Sequence, residues 1–285
     1  MIGILLGGFY AALSIGLSIS FGLLDIVNIA HPAFIILGAF VCFFFNSSYG
    51  LDPILVGVIS APVFFLLGTL IYRIYYGSFE KTGAEALRGL AFFFGVMFII
   101  EVILIISFGV DFQMVQAEYI DYKASFGVID IPFRMFIPFV IAMVMTFGLQ
   151  YFSSKTFFGR AMQAVAQDSL ALRLMAIDPA KIKRIAFGLS LATCSIAGAL
   201  LVIVIPIEPS VGRLYIGQVF AIVVLGGLGS QSGTLIAAML LGLVESLITT
   251  FFGPSWSPAV AFSALIIVLA FKPTGILGRV GDTRG

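Results

Sequence analysis

Residues 89–108 read GLAFFFGVMFIIEVILIISF and hold one charged side chain, Glu101, in an otherwise apolar run of twenty. A helix of about 20 apolar residues crosses the hydrocarbon core of a bilayer, so this stretch predicts a transmembrane helix. The chain has 285 residues, of which 61% are hydrophobic and 10% charged, whereas soluble domains are about 25% charged. This composition excludes an ordinary soluble enzyme and a disordered chain, and it predicts a polytopic membrane protein.

Further apolar runs continue this pattern along the whole chain. They lie at 2–24, 30–45, 52–76, 132–153, 184–206, 214–229, 233–252 and 257–271. The runs at 30–45, 214–229 and 257–271 are short for a full crossing, and short runs interrupted by glycine are typical of broken or re-entrant helices. We therefore predict an all-α protein with eight or nine transmembrane helices, at least one of them broken, in a single membrane domain spanning residues 1–285.

The basic residues are divided unevenly between the predicted loops. If the loop 154–183 is cytoplasmic, twelve of the fifteen Lys and Arg residues share its side, whereas Lys123, Arg134 and Arg213 lie on the other. The twelve are Arg73, Lys81, Arg88, Lys155, Arg160, Arg173, Lys181, Lys183, Arg184, Lys272, Arg279 and Arg284. Because cytoplasmic loops carry an excess of Lys and Arg, the sequence predicts an external N-terminus and a cytoplasmic C-terminus.

The loop 154–183 is too polar to span the bilayer and too rich in Ala and Leu to be a flexible linker. Asp168 is placed to cap a short helix over residues 169 to about 176, and Asp178 with Pro179 starts another helix. We predict two short helices outside the bilayer, followed by a new membrane helix. Their exposed apolar side chains either meet a partner protein or lie in the lipid interface, and both interpretations stand.

Several function classes find no support in the sequence. The net charge of +1 gives no electrostatic case for binding nucleic acid. Cys42 and Cys194 lie in apolar runs without metal-ligand spacing, and His31 is the only histidine, so neither a metal site nor a catalytic triad is expected. The pattern Gly-x-x-x-x-Gly-Lys-[Ser/Thr] of a phosphate-binding loop is absent from the chain. If ATP drives the protein, its binding site must therefore be on another chain. We predict that the chain is not an enzyme.

Glu101 and Glu245 lie at membrane depth within apolar runs. A charged group there costs at least about 2.5–3.5 kcal/mol, and such groups usually face a protein interior or a water path. One interpretation is functional and places both on a path through the membrane or at the contact with a partner subunit. The other is structural, with each carboxyl held by a hydroxyl, amide or backbone group of a neighbouring helix.

The segment from Gly22 to Pro32 is a candidate break in a membrane helix, because Pro32 disfavours helix at the residue before it. Asn28 and His31 lie in this segment, and broken helices expose backbone groups that bind solutes near the midplane. They are therefore candidates for a role in the path or in gating. The alternative is a polar turn in which Asp25 or Asn28 caps a helix that begins near Ala33.

Four glycines cluster late in the chain, at Gly226, Gly227, Gly229 and Gly233. No Lys follows them, so they do not form a phosphate-binding loop. We predict a tight turn between two helices and a close helix contact, which glycine permits because it has no Cβ.

Five segments, in order, resemble the permeases of branched-chain amino acid ABC importers, and more closely the LivH-type than the LivM-type subunit. The most informative is Gly159-Arg-Ala-Met-Gln-Ala-Val-Ala-Gln-Asp168, followed by Ala171-Leu-Arg-Leu-Met-Ala-Ile-Asp178. The others are Gly22-Leu-Leu-Asp-Ile-Val-Asn-Ile-Ala-His31, Val223-Val-Leu-Gly-Gly-Leu-Gly-Ser230 with Gly233, Leu241-Gly-Leu-Val-Glu245, and Phe271-Lys-Pro-Thr-Gly-Ile-Leu-Gly278. Together they cover nearly the whole chain.

The resemblance implies a multi-pass permease of a bacterial or archaeal cytoplasmic membrane, which forms the path for branched-chain amino acids or a similar small polar solute. The implied partners are a homologous LivM-type permease, two cytoplasmic ATPases that bind ATP and Mg, and a periplasmic or extracellular solute-binding protein. The chain itself would bind no cofactor. By residue match, the ATPase-coupling residues are Gly159, Arg160, Gln163, Ala164, Gln167, Asp168, Arg173 and Asp178. A stand-alone secondary transporter or channel is the alternative, motivated by Glu101 and Glu245.

Overall fold

The computed structural model describes residues 1–80, 85–126, 129–272 and 275–278, and most of these residues are helical. The helices are α1 (Ile2–Ser20), α2 (His31–Tyr49), α3 (Pro53–Ser78), α4 (Glu85–Phe108), α5 (Phe133–Lys155), α6 (Phe157–Gln167), α7 (Ser169–Leu174), α8 (Pro179–Val204), α9 (Gly212–Gly226), α10 (Gln231–Phe252) and α11 (Ser257–Phe271). Lys81, Arg279 and Arg284 of the predicted basic side lie outside the described residues.

In the described ranges, seven helices are long and apolar enough to cross a membrane: α1 to α5, α8 and α10. Helices α9 and α11 are shorter, with 15 residues each, as the sequence predicted for these runs. The third run predicted to be short, 30–45, forms a longer helix in the structure, because α2 has 19 residues. It continues through polar residues to Tyr49 and ends at Gly50, whose φ of 67° forms a left-handed C-cap.

Helices α1 and α8 form the centre of the bundle, and both are enclosed by other helices. Helix α1 packs against α5, α8 and α10, while α8 packs against α2 and α3. Glycines permit these close approaches: a Cβ on Gly7 would lie 2.6 Å from the Cα of Met239, and one on Gly68 would lie 2.8 Å from the Cα of Gly188. Membrane helices associate through such small-residue contacts, because lipid supplies no hydrophobic drive between them.

The two ends of the bundle differ in charge and in structure. One end holds α6 and α7 together with Lys155, Arg160, Arg173 and Lys183, and we call it the basic end. At this end Lys183 Nζ lies 2.6 Å from Glu80 Oε1, which joins the start of α8 to the end of α3.

At the opposite end, the segment between α4 and α5 is folded and tied to the bundle. Gln113 and Ile207 form an antiparallel bridge, and the Asn46 side chain donates to the backbone oxygen of Gln116 over 2.9 Å and accepts from its nitrogen. A short ribbon follows, with β1 (Lys123–Phe126) paired antiparallel to β2 (Ile129–Pro132). This small sheet outside the membrane helices departs from the all-α prediction.

Candidate functional site

Helices α6 and α7 form a compact element between the membrane helices α5 and α8. The Thr156 hydroxyl caps α6 by accepting from the Gly159 nitrogen over 3.0 Å. Asp168 Oδ1 accepts from the Ala171 nitrogen over 3.0 Å at the start of α7, and Asp178 Oδ1 accepts from the Ala180 nitrogen over 3.0 Å at the start of α8. The predicted caps at Asp168 and Asp178 are therefore confirmed, as are the two short helices before a new membrane helix.

The residues predicted for ATPase coupling divide between the inside and the outside of this element. Gly159 is buried, and a Cβ there would lie 2.3 Å from the Phe152 oxygen, so α6 lies directly on the end of α5. Gln163 and Ala164 are half-buried. The exposed members are Arg160, Gln167, Asp168, Arg173 and Asp178. The element thus presents polar and charged side chains to whatever lies beyond the basic end.

The end of α7 presents apolar side chains on a strained turn. Leu174 is 84% exposed and Met175 is 71% exposed. Ala176 has a φ of 59°, in the left-handed region that costs a non-glycine residue about 1–2 kcal/mol. The Ile177 nitrogen donates to the Leu172 oxygen over 3.0 Å and closes the turn. Strain of this kind persists only where surrounding contacts hold it.

A cleft of about 520 Å³ opens at the basic end, between the ends of α1 and α5, helix α6 and the start of α10. Hydrogen bonds of neighbouring side chains link its walls. Gln163 Nε2 donates to the Ser153 backbone oxygen over 3.2 Å, Gln231 Nε2 donates to the Ser153 hydroxyl over 2.8 Å, and Gln150 Nε2 donates to Ser232 Oγ over 2.7 Å. Ser153 therefore contacts both α6 and α10.

The four clustered glycines lie where α9 turns into α10. Gly227 and Gly229 have φ of 96° and 78°, which only glycine adopts readily. A Cβ on Gly233 would lie 2.0 Å from the Gly226 oxygen, so the two helices touch at backbone distance. The Leu277 nitrogen donates to this same Gly226 oxygen over 3.1 Å. The turn is thereby tied to the segment after α11.

The segment between α1 and α2 is non-helical over residues 21–30 and largely buried. Asn28 Oδ1 accepts from the Ala30 nitrogen over 3.1 Å, and Asn28 Nδ2, fully buried, has no partner within the described residues. The capping alternative was wrong in detail, because Ala30 is the N-cap and α2 begins at His31 rather than near Ala33. Pro32 fits the first turn, where its missing N–H leaves no bond unmade.

His31 is 1% exposed and contacts two other helices. Its Nε2 lies 3.2 Å from the Leu13 oxygen of α1, and its Nδ1 lies 3.4 Å from Cys194 Sγ of α8. Because a carbonyl only accepts, Nε2 carries the proton in this arrangement and Nδ1 is free to accept. This contact of Cys194 could not be predicted, because nothing in the apolar run around it points to a histidine on another helix.

Glu101 is 7% exposed and is paired with a cation. Arg213 Nη2, at the start of α9, lies 2.8 Å from Glu101 Oε1. This partner is a cation from a helix start, and not the hydroxyl, amide or backbone group that the structural interpretation predicts for Glu101. The Arg213 side chain is 50% exposed, so part of this cation remains on the surface of the described chain.

Glu245 is 5% exposed and accepts hydrogen bonds from three helices. Tyr10 on α1 donates over 2.9 Å, Gln218 on α9 donates over 3.0 Å, and the Ser257 hydroxyl at the start of α11 donates as well. These are the hydroxyl and amide partners of the structural interpretation. All three donors are neutral groups, in contrast to the cation that pairs with Glu101.

The structure brings together groups that sequence spacing could not join: Arg213 with Glu101, Cys194 with His31, and Ser153 with Gln163 and Gln231. Within the described residues, no group of three or more His, Cys, Asp or Glu side chains is placed to hold a metal ion. A bundle of seven long apolar helices that encloses polar residues, with a capped amphipathic element at one end, defines the class of multi-pass helical membrane proteins.

Comparison with known proteins makes the assignment specific. A family model described as "Branched-chain amino acid transport system / permease component" matches residues 1–270, and the chain belongs to this family. It is thus a permease component of an ABC importer and a multi-pass protein of the prokaryotic inner membrane, rather than a catalytic enzyme.

Three curated relatives illustrate the similarity. The chain is 28% identical to the high-affinity branched-chain amino acid transport system permease protein BraD of Pseudomonas aeruginosa, covering 97% of this chain and 94% of BraD. It is 25% identical to the corresponding protein LivH of Escherichia coli, with the same coverage. It is 26% identical to LivM of Salmonella typhimurium, covering 94% of this chain and 67% of LivM. No solved structure matches the chain.

Proposed function

We propose that this chain forms the translocation path for branched-chain amino acids, or a similar small polar solute, as one of two permease subunits in a binding-protein-dependent importer. The observation that carries the proposal is the α6–α7 element, a capped and amphipathic pair of helices with exposed charges at the basic end. The named substrate of BraD and LivH supports the choice of solute. The similarity to both LivH and LivM supports a homologous LivM-type partner.

In this proposal the basic end is cytoplasmic and residues 1–285 form one permease domain. Nine of the twelve basic residues assigned to this side are described, and the ion pair of Lys183 lies at that end. Counting α9 and α11 with the seven long helices gives nine crossings, the upper of the two predicted numbers. An odd number places the N-terminus outside and residues 275–278 inside, in agreement with the excess of cytoplasmic Lys and Arg.

Two cytoplasmic ATPases would dock on α6 and α7 and would bind the ATP and Mg that drive transport, while this chain binds no cofactor. Arg160 and Arg173 are exposed and offer charged contacts, and Leu174 with Met175 offers an apolar one. Gly159, Gln163 and the other inward residues of the coupling set would hold α6 against α5, so that a displacement of α6 reaches the membrane helices.

A solute-binding protein would deliver the solute at the opposite end, where Gln113 and Gln116 of the segment after α4 are bonded to Ile207 and Asn46. Within the membrane we propose a path or gating role for Asn28, His31, Glu101 and Glu245. Asn28 supports it with an unpartnered buried amide, and the half-exposed Arg213 supports it as a cation beside the buried carboxyl of Glu101.

Charge reversal at the docking surface tests the proposal. We expect Arg160→Glu and Arg173→Glu to release the ATPases during purification of the complex and to abolish ATP-driven uptake of L-leucine. Lys155→Glu is the matched control, since Lys155 is an exposed cation at the same end but outside α6 and α7. Unchanged ATPase association in both variants would contradict the coupling role.

The stand-alone alternative is decided by reconstitution. We expect the purified chain, placed alone in vesicles with an ion gradient and without ATP, to move no solute. Uptake of L-leucine under these conditions would favour a secondary transporter or channel and would overturn the importer proposal.

A further inference from the structure

The cleft at the basic end has a lining that the coupling role does not require. Its side chains offer amides from four glutamines and hydroxyls from four serines, and among residues 1–80, 85–126, 129–272 and 275–278 no charged side chain lines it. These are Gln150, Gln163, Gln167, Gln231, Ser153, Ser154, Ser230 and Ser232. Ligand sites of small molecules typically have volumes of about 300–1,000 Å³, and this cleft of about 520 Å³ falls within that range.

The chemistry of this lining selects among solutes. Amides and hydroxyls both donate and accept hydrogen bonds, so together they can bind an ammonium and a carboxylate group of one small molecule. A solute with a net charge would need a counter-charge on leaving water, because an unpaired charge is costly in a protein site. The part of the lining that the structure describes offers none, so it favours polar solutes without net charge.

Helix α6 is itself a wall of the cleft. Gln163, Ala166 and Gln167 line it from α6, while Arg160 on the same helix is exposed beyond the basic end. Ser153 of α5 links this wall to the start of α10, because its backbone oxygen accepts from Gln163 of α6 and its hydroxyl accepts from Gln231 of α10. A shift of α6 therefore changes the width of the cleft and pulls on the start of α10.

We propose that this cleft binds the transported solute on the cytoplasmic side, as a release site for small polar molecules without net charge, and that α6 opens and closes it. The inference rests on the proposed function and assigns a second task to the docking helix. ATPase docking and solute release are then one movement of α6, since the same eleven-residue helix carries both surfaces.

Protection of an introduced cysteine tests binding directly. Ser154 is exposed and lines the cleft, whereas Tyr151 is 67% exposed on the same helix and does not. Cys42 and Cys194 are both 0% exposed, so the native chain gives little background. In the purified complex, a charged thiol reagent should label Ser154→Cys more slowly with L-leucine present, by the factor 1 + [L]/Kd, or about tenfold at nine times Kd.

Three outcomes decide the proposal. Slower labelling of Ser154→Cys with L-leucine, but not with equal L-glutamate or L-lysine, together with unchanged labelling of Tyr151→Cys, supports it. Equal labelling rates with and without L-leucine overturn the site. Equal protection by all three amino acids overturns the charge selectivity. ATP-driven uptake by the wild-type complex is measured first. Absence of uptake contradicts the proposed function itself, whereas with uptake present a failed protection experiment contradicts only the role of the cleft.

Filling the cleft is the second test. We expect Ala166→Trp to keep the ATPases bound and to reduce L-leucine uptake more than tenfold, since its ring occupies the space between α6 and α10. Leu240→Trp is the control, because Leu240 is 48% exposed on α10 and does not line the cleft. If the Ala166→Trp complex assembles and takes up L-leucine at the wild-type rate, the proposal is overturned. If this variant does not assemble, the labelling of Ser154→Cys decides the question.

Discussion

Replacing Glu245 by alanine removes the acceptor of three hydrogen bonds at the meeting point of four helices. Tyr10, Gln218 and Ser257 all donate to this carboxylate, and each would be left without its acceptor. A buried donor that loses its partner costs the free energy of its desolvation, about 1–3 kcal/mol. The variant should therefore lower the free energy of unfolding far more than the loss of the single Cγ methylene group would.

The size of the effect follows from the burial of the three donors. Tyr10 is 5% exposed and carries the full cost, about 1–3 kcal/mol. Gln218 and Ser257 are half-buried and reach other partners more easily, so about 1 kcal/mol each is expected. The sum is about 3–5 kcal/mol. Glu245→Gln should cost about 1 kcal/mol, because its oxygen still accepts from the two hydroxyls and Gln218 can rotate its amide.

A double-mutant cycle with Tyr10→Phe measures the central contact. Unfolding of the purified chain by SDS in mixed micelles can be followed by the fluorescence of the single tryptophan, Trp256. We expect a coupling free energy between Glu245 and Tyr10 of about 1.5–3 kcal/mol, as for a hydrogen bond to a charged group. Tyr151→Phe provides the control cycle, since Tyr151 is exposed on α5. Additivity of Glu245→Ala and Tyr10→Phe within about 0.5 kcal/mol would refute the reasoning.

Other contacts give shorter predictions. Gly233→Ala should destabilise the protein by about 1–3 kcal/mol or more, because its Cβ would lie 2.0 Å from a backbone oxygen. Gly77→Ala is the control and should not destabilise, because there is open space around Gly77. Equal melting temperatures for the two variants would be inconsistent with this packing. Arg213→Ala should cost about 3 kcal/mol by stranding the buried Glu101 carboxylate, and Glu101→Gln should cost less, so the reverse order in thermal denaturation would argue against the ion pair. Ala176→Gly should relieve up to about 1 kcal/mol of backbone strain at φ 59°, seen as slower amide exchange in α7; faster exchange would contradict it.

Local features of the fold could be predicted from the sequence because neighbours in the chain determine them. The apolar runs predicted the membrane helices, and Asp168 and Asp178 predicted helix starts, since a cap bonds to a nitrogen two or three residues away. The extension of α2 to Tyr49 was missed, because helical hydrogen bonds continue through polar residues until a residue such as Gly50 ends them.

Contacts between distant segments could not be predicted from one sequence. Glu245 and Tyr10 are 235 positions apart, and no local pattern in either segment names the other. The predicted candidates Glu101, Glu245 and His31 were identified because polar residues in apolar runs are rare. Their partners Arg213, Gln218 and Cys194 depend on how the helices cross, and that order is set by packing of the whole bundle.

The central position of α1 has a consequence for how the protein is made. The first helix to leave the ribosome packs most extensively against α10, which is synthesised more than 200 residues later. Until then, the glycine face at Gly3 and Gly7 and the hydroxyl of Tyr10 have no native partner. The bundle therefore closes only when synthesis is nearly complete, and insertion of α1 into the bilayer precedes its packing by almost the whole chain.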